Sequence, residues 1–382
     1  MHTRPAAGFG YVAGLDGLRA IAITMVLFFH ACALSGLAGW VRGGFIGVSL
    51  FFTLSGFLIT SLLLRDLEVT GRVSLRRFWT RRARRLIPAS LTVVAAVVAL
   101  SQLRGSGLQS LRLADGAAAV WSFTNWHVIL SGQQQLIHTI VGPLGPYWSL
   151  AVEEQFYVVL ALTFLAVQRL RRPVPTLALL LIVCWAGSTL ISAATRGPQY
   201  RLEFGTDTRA AELAAGGLLA LALHHWPALI SANKRRLDVL GGVALVVVVG
   251  LCLTVDYRPP WLLRGGYSAV SLLSVLVVAG ILTRQRLERA LSALPLVLLG
   301  RVSYSLYLVH WPVILMLPES RTHLHGWPSV ALIVVVAVLT AGVLHVAVEQ
   351  PLRRAQAPPV RVLALSLACL LGVTGLGWAL LD

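Results

Sequence analysis

Charge is what this chain has little of: Asp, Glu, Lys and Arg make up only 12% of its 382 residues, about half the share of an ordinary soluble protein. Acidic residues are scarcest, 15 against 32 basic ones, and Lys234 is the single lysine. No stretch is polar enough to form a soluble domain. The four cysteines, Cys32, Cys184, Cys252 and Cys369, fall in apolar runs without C-x-x-C spacing, which excludes a dithiol redox pair and leaves them as small buried hydrophobes. The G-x-S-x-G signature of a serine nucleophile is missing. So is any visible internal repeat, which weighs against a transporter assembled from duplicated halves.

What is there is apolar. Hydrophobic residues reach 57% and the mean hydropathy is +0.78. Runs of membrane-spanning length lie at 18–37, 43–64, 86–103, 147–167, 174–194, 208–225, 237–255, 266–283, 294–317, 328–349 and 361–381, which predicts an all-α polytopic membrane protein of about ten core helices plus an extra C-terminal one. Residues 114–130 form a shorter run broken by Asn125 and His127, read as a surface or re-entrant helix. A single transmembrane domain over 1–352 is predicted, followed by a cytoplasmic linker and the extra helix over 353–382. Ala31-Cys32-Ala33 has the look of a signal-cleavage site, but Asp16 and Arg19 flank the run closely and a second apolar segment follows at once.

Basic residues decide orientation when counted loop by loop. Loops after even-numbered spans hold the Arg65–Arg85 cluster, then Arg169, Arg171 and Arg172, then Lys234, Arg235 and Arg236, then Arg284, Arg286 and Arg289; the opposite loops hold isolated arginines such as Arg104 and Arg321. The N-terminus is therefore predicted in the cytoplasm and the C-terminus outside, in a multi-pass cell-membrane protein. The net charge of +17 follows from this topology and implies no nucleic-acid partner.

Ionisable residues inside such runs are expensive to keep and mark functional sites by default. His30 lies within the first run, and Arg19 precedes it by eleven residues; the two share one helix face, roughly 16 Å apart along the axis. Before the third run stands Arg76-Arg77-Phe78-Trp79-Thr80-Arg81-Arg82-Ala83-Arg84-Arg85. This is either ordinary interfacial anchoring or a phosphate site, in which the Arg82 and Arg85 forks and the N–H groups of a helix start converge on one anion. Glu153, in Trp148-Ser149-Leu150-Ala151-Val152-Glu153-Glu154, enters the membrane from outside to a depth similar to that of His30, where it either orients the imidazole or forms a structural ion pair.

Four more residues cluster toward the outer half. Arg209 and Glu212 either contact substrate or pair with each other, His310 is a second intramembrane imidazole, and Trp148 is placed to line a substrate. His345 and Glu349, four apart, read as a structural pair, and His224 and His225 as helix-end residues. His323 and His325 have no further ligands at sensible spacing, so no metal is assigned.

Together, Leu15-Asp16-Gly17-Leu18-Arg19 to His30, Gly44-Phe45-Ile46-Gly47-Val48 with Phe51 to Ile59, Arg82 and Arg85 with Pro88, Trp148 to Tyr157, and Ser303 to Pro312 resemble the acyltransferase-3 family of integral membrane O-acyltransferases. The resemblance covers nearly the whole chain, in order. It implies transfer of an acyl group, acetyl or succinyl, from cytoplasmic acyl-CoA to a hydroxyl of an extracytoplasmic sugar or glycolipid. It also ties His30, Arg19, Arg82 and Arg85 to activity. Some members of that family carry an eleventh span leading to an extracellular SGNH-type domain; here the extra span is followed only by Asp382, which leaves open a truncated fusion or another purpose for that helix. The expected chemistry puts acyl-CoA phosphates on Arg82 and Arg85, its arm past Arg19, and the thioester beside His30 as general base oriented by Glu153. Arg209, Glu212, His310 and Trp148 then position the acceptor or its oxyanion. The rival reading is a transporter or flippase for a lipid-linked sugar, using the same charges as a path.

Overall fold

The structure is a computed structural model that describes residues 10–131 and 142–354, with scattered positions from 358 to 375. The chain winds into α1 (Ala13–Leu34), α2 (Gly47–Thr70), α3 (Leu75–Ser101), the short α4 (Leu113–Val120) and α5 (Thr124–Leu130), α6 (Tyr147–Val167) and α7 (Pro173–Ala194). Then come α8 (Gln199–Phe204), α9 (Thr206–His225), α10 (Ala228–Ala232), α11 (Lys234–Thr254), α12 (Tyr267–Leu282), α13 (Arg286–Leu291) and α14 (Leu294–Arg301). The order closes with α15 (Ser303–Met316), α16 (Glu319–Thr322), α17 (Gly326–Leu344) and α18 (Gln350–Arg354). No strand occurs among the described residues. Among the described residues, eight helices are long and apolar enough to cross a membrane, or nine with α14 and α15 taken as one broken span; the protein is an all-α polytopic membrane protein.

Each predicted span up to 328–349 meets a helix, with three departures. The run 294–317 is broken at Val302 rather than continuous. The helix predicted from 86 begins at Leu75, because arginine is a good helix former. Third, α9 matches 208–225 but carries Asp207, Arg209 and Glu212 and is buried along most of its length, so it has little need of an apolar surface for lipid. The segment 114–130 is two short helices, α4 and α5, pinned by Asp115, which accepts from the Arg112 N–H (2.9 Å) and pairs with His127 Nε2 (2.8 Å). The extra helix predicted over 361–381 lies for the most part outside the described residues.

Two compact units emerge, Met1–Ala22 with Phe45–Ser74 and Val152–Arg301, and Ile23–Gly44 with Leu75–Ala151 and Val302–Asp382. The first is built on α2 and α9. A Cβ at Gly56 would overlap the Leu213 carbonyl and one at Gly216 the Thr53 carbonyl, so the two backbones meet directly, the small-residue packing that substitutes for hydrophobic drive inside lipid. Ser192 donates to Thr208 O at 3.0 Å, and Ser188 accepts from Ala211 N at 3.1 Å, joining α7 to α9.

In the second unit, α3 carries Pro88 in its interior, where proline cannot donate to the helix ladder. Tyrosines brace α3 on either side of it: Tyr304 donates to Leu86 O (2.8 Å) and Tyr147 to Ser90 O (3.1 Å). A π-helical turn, His345–Glu349, follows α17. There Glu349 accepts from His345 Nδ1 and Ser305 Oγ, both at 2.8 Å, a buried structural pair as its spacing predicts.

Candidate functional site: a buried imidazole pair

Within the second unit, His30 of α1 meets α15. Its ring centroid lies 5.3 Å from that of His310 and 5.2 Å from that of Trp311. Both histidines are buried, His310 completely. The helical offsets 307, 310 and 311 place Tyr307, His310 and Trp311 on one face of α15, and Tyr307 closes the ring cluster 5.4 Å from His310.

Hydrogen bonds fix what this cluster can do. His310 Nδ1 lies 2.7 Å from Tyr307 O. A carbonyl only accepts, so Nδ1 carries the hydrogen, and in the neutral ring the lone pair is on Nε2. Among the described residues, that Nε2 and His30 Nδ1 are two of several buried side-chain atoms that have no hydrogen-bond partner. Buried polar atoms nearly always find partners, and exceptions ask for a reason such as a catalytic role. The neighbouring aromatic side chains are hydrogen-bonded: Tyr307 donates to Pro146 O (3.0 Å) and meets Ser149 Oγ (2.6 Å), while Trp311 Nε1 donates to Gly142 O (2.9 Å). Trp148 is buried at the start of α6. The arrangement is a rigid aromatic box holding two imidazoles with unused nitrogens, suited to moving a proton to or from a bound hydroxyl.

Arg82 and Arg85 sit on α3, Arg82 buried with its guanidinium 5.9 Å from the Phe78 ring. Because α3 starts at Leu75, its first turn begins about 10 Å along the axis from Arg82. This corrects the expectation that helix start and arginine pair converge on one anion: the two lie apart along α3.

The remaining predicted residues belong to the first unit. Arg19, one turn after Asp16, forms an ion pair with it at 3.8 Å. Glu153 accepts from Tyr157 at 3.0 Å, one turn along α6, and Tyr157 in turn meets Ser55. Arg209 and Glu212 pair with each other through two hydrogen bonds, 2.5 and 3.2 Å, both fully buried. Arg209 also donates to Glu203 O (3.0 Å) and lies 3.7 Å from the Tyr267 ring centroid.

Sequence reading missed the rest of this network. Glu203 binds Arg258 and accepts from Tyr257 (3.1 Å). Burial, with the Glu203 carboxylate alongside, holds the Tyr257 phenol well above its ordinary pKa. Arg258 is pulled down by burial, yet Glu203 and Tyr257 more than offset this and raise it. These residues lie on the short α8 and in a loop about 55 residues later, where neither periodicity nor spacing singles them out. In the second unit, Tyr307 and Trp311 were also missed as site residues, although their spacing from His310 could have signalled them.

The chain matches the family described as "Acyltransferase domain" over residues 12–347. It is similar to the O-acetyltransferase OatA of Staphylococcus aureus strain NCTC 8325 / PS 47 and to that of strain MRSA252. In each case the identity is 32% over 357 residues, 90% of this chain and 57% of the relative, so the chain spans a little over half the length of these curated relatives. No solved structure matches it.

Proposed function

The chain belongs to the acyltransferase-3 family, and from that premise we propose that it is a membrane O-acyltransferase carrying an acyl group, acetyl before succinyl, from cytoplasmic acyl-CoA to a hydroxyl of an extracytoplasmic sugar or glycolipid. The observation that carries this reading is the buried imidazole pair, with His310 Nε2 and His30 Nδ1 unused. In the proposed step His30 takes the hydroxyl proton as that oxygen attacks the thioester carbonyl. The carbon–sulfur bond then breaks, and the imidazolium returns its proton to the departing thiolate. General-base help of this kind contributes about 10²- to 10⁴-fold, and holding both substrates together adds to it.

His310, locked by Tyr307 O, positions the acceptor hydroxyl. Arg82 and Arg85, on the arginine-rich side predicted as cytoplasmic, bind the donor's phosphates, and Arg19 lies along the arm's route. Glu153 keeps its proposed role as the orienting carboxylate. Arg209 and Glu212, bound to each other, support the fold rather than the acceptor. A flippase reading calls for paired broken helices; one broken pair is found among the described residues.

The test is thermal melting of the purified protein with acetyl-CoA. Stabilisation of about 2.7 kcal/mol at a hundredfold excess over Kd is the expected result. No shift with acetyl-CoA, together with a shift on adding a lipid-linked sugar, would favour the flippase.

A further inference from the structure

The end of α3 remote from Arg82 and Arg85 carries a feature that the acyl-transfer step does not use. Beyond Ser101 the chain turns through Gly105 and Gly107, both at positive φ, and a Cβ at Gly107 would overlap the Leu315 carbonyl. The turn is thereby clamped against the end of α15. Between this turn and the chain leaving α15 lies a groove of about 790 Å³, lined by Leu103, Arg104, Gln109, Met316, Ser320 and Arg321 among others.

Its chemistry is one-sided. Two guanidinium groups line it and no carboxylate does. Glu319, beside the groove, is engaged with His325. Arg321 donates through Nη1 to Met316 O at 2.6 Å, which fixes the guanidinium at the groove, and no other hydrogen bond of its fork is found among the described residues. Guanidinium forks pair best with phosphate or carboxylate oxygens, the apolar Leu103 and Met316 suit the face of a sugar ring, and the volume suits a small ligand.

Position adds the rest. From Arg82 to Ser101 the helix rises about 28 Å, close to the roughly 30 Å hydrocarbon thickness, so groove and arginine pair open on opposite faces of the membrane. Along α15, Met316 lies six residues, about 9 Å, beyond His310. We propose that this groove docks the acceptor and selects sugars bearing a phosphate, gripped by Arg104 and Arg321. The anion site stands on its own chemistry; only its role as acceptor site rests on the acyl-transfer reading.

The test uses the full chain in phosphatidylcholine discs with glucose 1-phosphate, methyl glucoside, inorganic phosphate and acetyl-CoA as probes. Glucose 1-phosphate should bind at least about tenfold more tightly than methyl glucoside, with inorganic phosphate competing. Arg104→Gln with Arg321→Gln should weaken it by about tenfold or more. Unchanged acetyl-CoA affinity in that variant shows that it is folded, and Arg104→Lys with Arg321→Lys should recover part of the binding because charge returns without the fork. Equal binding of the two sugars, or an unaffected double glutamine variant, would overturn the proposal. So would loss of glucose 1-phosphate binding when phosphatidylglycerol is mixed into the discs, which would mark a lipid-headgroup site. Failure of the wild type to bind acetyl-CoA would instead sink the acyl-transfer reading and leave the groove standing.

Discussion

Two buried polar clusters, one in each unit, are built on opposite plans. In the first unit the charges are spent on one another: Arg209 on Glu212 and the Glu203 carbonyl, Arg258 and Tyr257 on the Glu203 carboxylate. In the second unit the groups at the centre are two imidazoles, each with a buried nitrogen that finds no hydrogen-bond partner among the described residues, while Tyr307 and Trp311 beside them are hydrogen-bonded. A fully paired ion network inside a membrane protein holds shape. Buried nitrogens without a partner are costly to keep, and a bound hydroxyl that completed them would offset that cost. Hydroxyls without a hydrogen-bond partner among the described residues are found in the first unit as well, at Ser49, Thr53, Thr60 and Tyr267, so what sets the second cluster apart is the imidazole, which can take up a proton near neutral pH.

Mutations can break or sharpen that contrast. The largest effect is expected from Arg209→Met, which strands Glu212: about 3–5 kcal/mol of stability should be lost. Adding Glu212→Leu should recover most of it, with catalysis per folded molecule unchanged, as read by melting and by transfer assays. His310→Gln should do the reverse, lowering transfer per folded molecule about 10²-fold with a smaller loss of stability than Arg209→Met.

Third comes Arg82→Ala with Arg85→Ala, expected to weaken acetyl-CoA binding about tenfold or more and to flatten its salt dependence; equal affinity and salt slope in a titration would remove the arginine pair from the donor site. Smallest is Tyr307→Phe, which removes one hydrogen bond each from Pro146 O and Ser149 Oγ and should cost about 1 kcal/mol, seen as a few degrees in melting and a modest fall in rate.

Much of this was readable in the sequence because lipid imposes a simple rule: about twenty apolar residues make a span. It found α6, α7, α11 and α12 with nearly their observed bounds, and α1 and α2 with ends shifted by several residues. The same rule hid the break at Val302, since an apolar run looks alike whether straight or broken. It also placed the start of α3 too late by treating the arginines as loop. His30, His310, Arg209 and Glu212 stood out singly because charge and imidazole are rare in such runs.

That His30 and His310 meet was not readable, for they are 280 positions apart and no periodicity links them. The Arg209–Glu212 pair was foreseeable from its three-residue spacing. Glu203 and Arg258 were not, because their partnership is made entirely by tertiary packing. Tyr307 and Trp311 lie in a stretch already singled out, and the helical offsets from His310 were the available signal.

The central claim is that an imidazole at position 30 performs the proton transfer and does not merely fill space. The most direct measurement is a single-turnover assay of radiolabelled acetyl-CoA with the His30→Ala protein in membranes, run beside a binding titration of the same preparation. Wild-type affinity with acyl transfer reduced by about 10² or more is the predicted result. Transfer at the wild-type rate from that variant would contradict it.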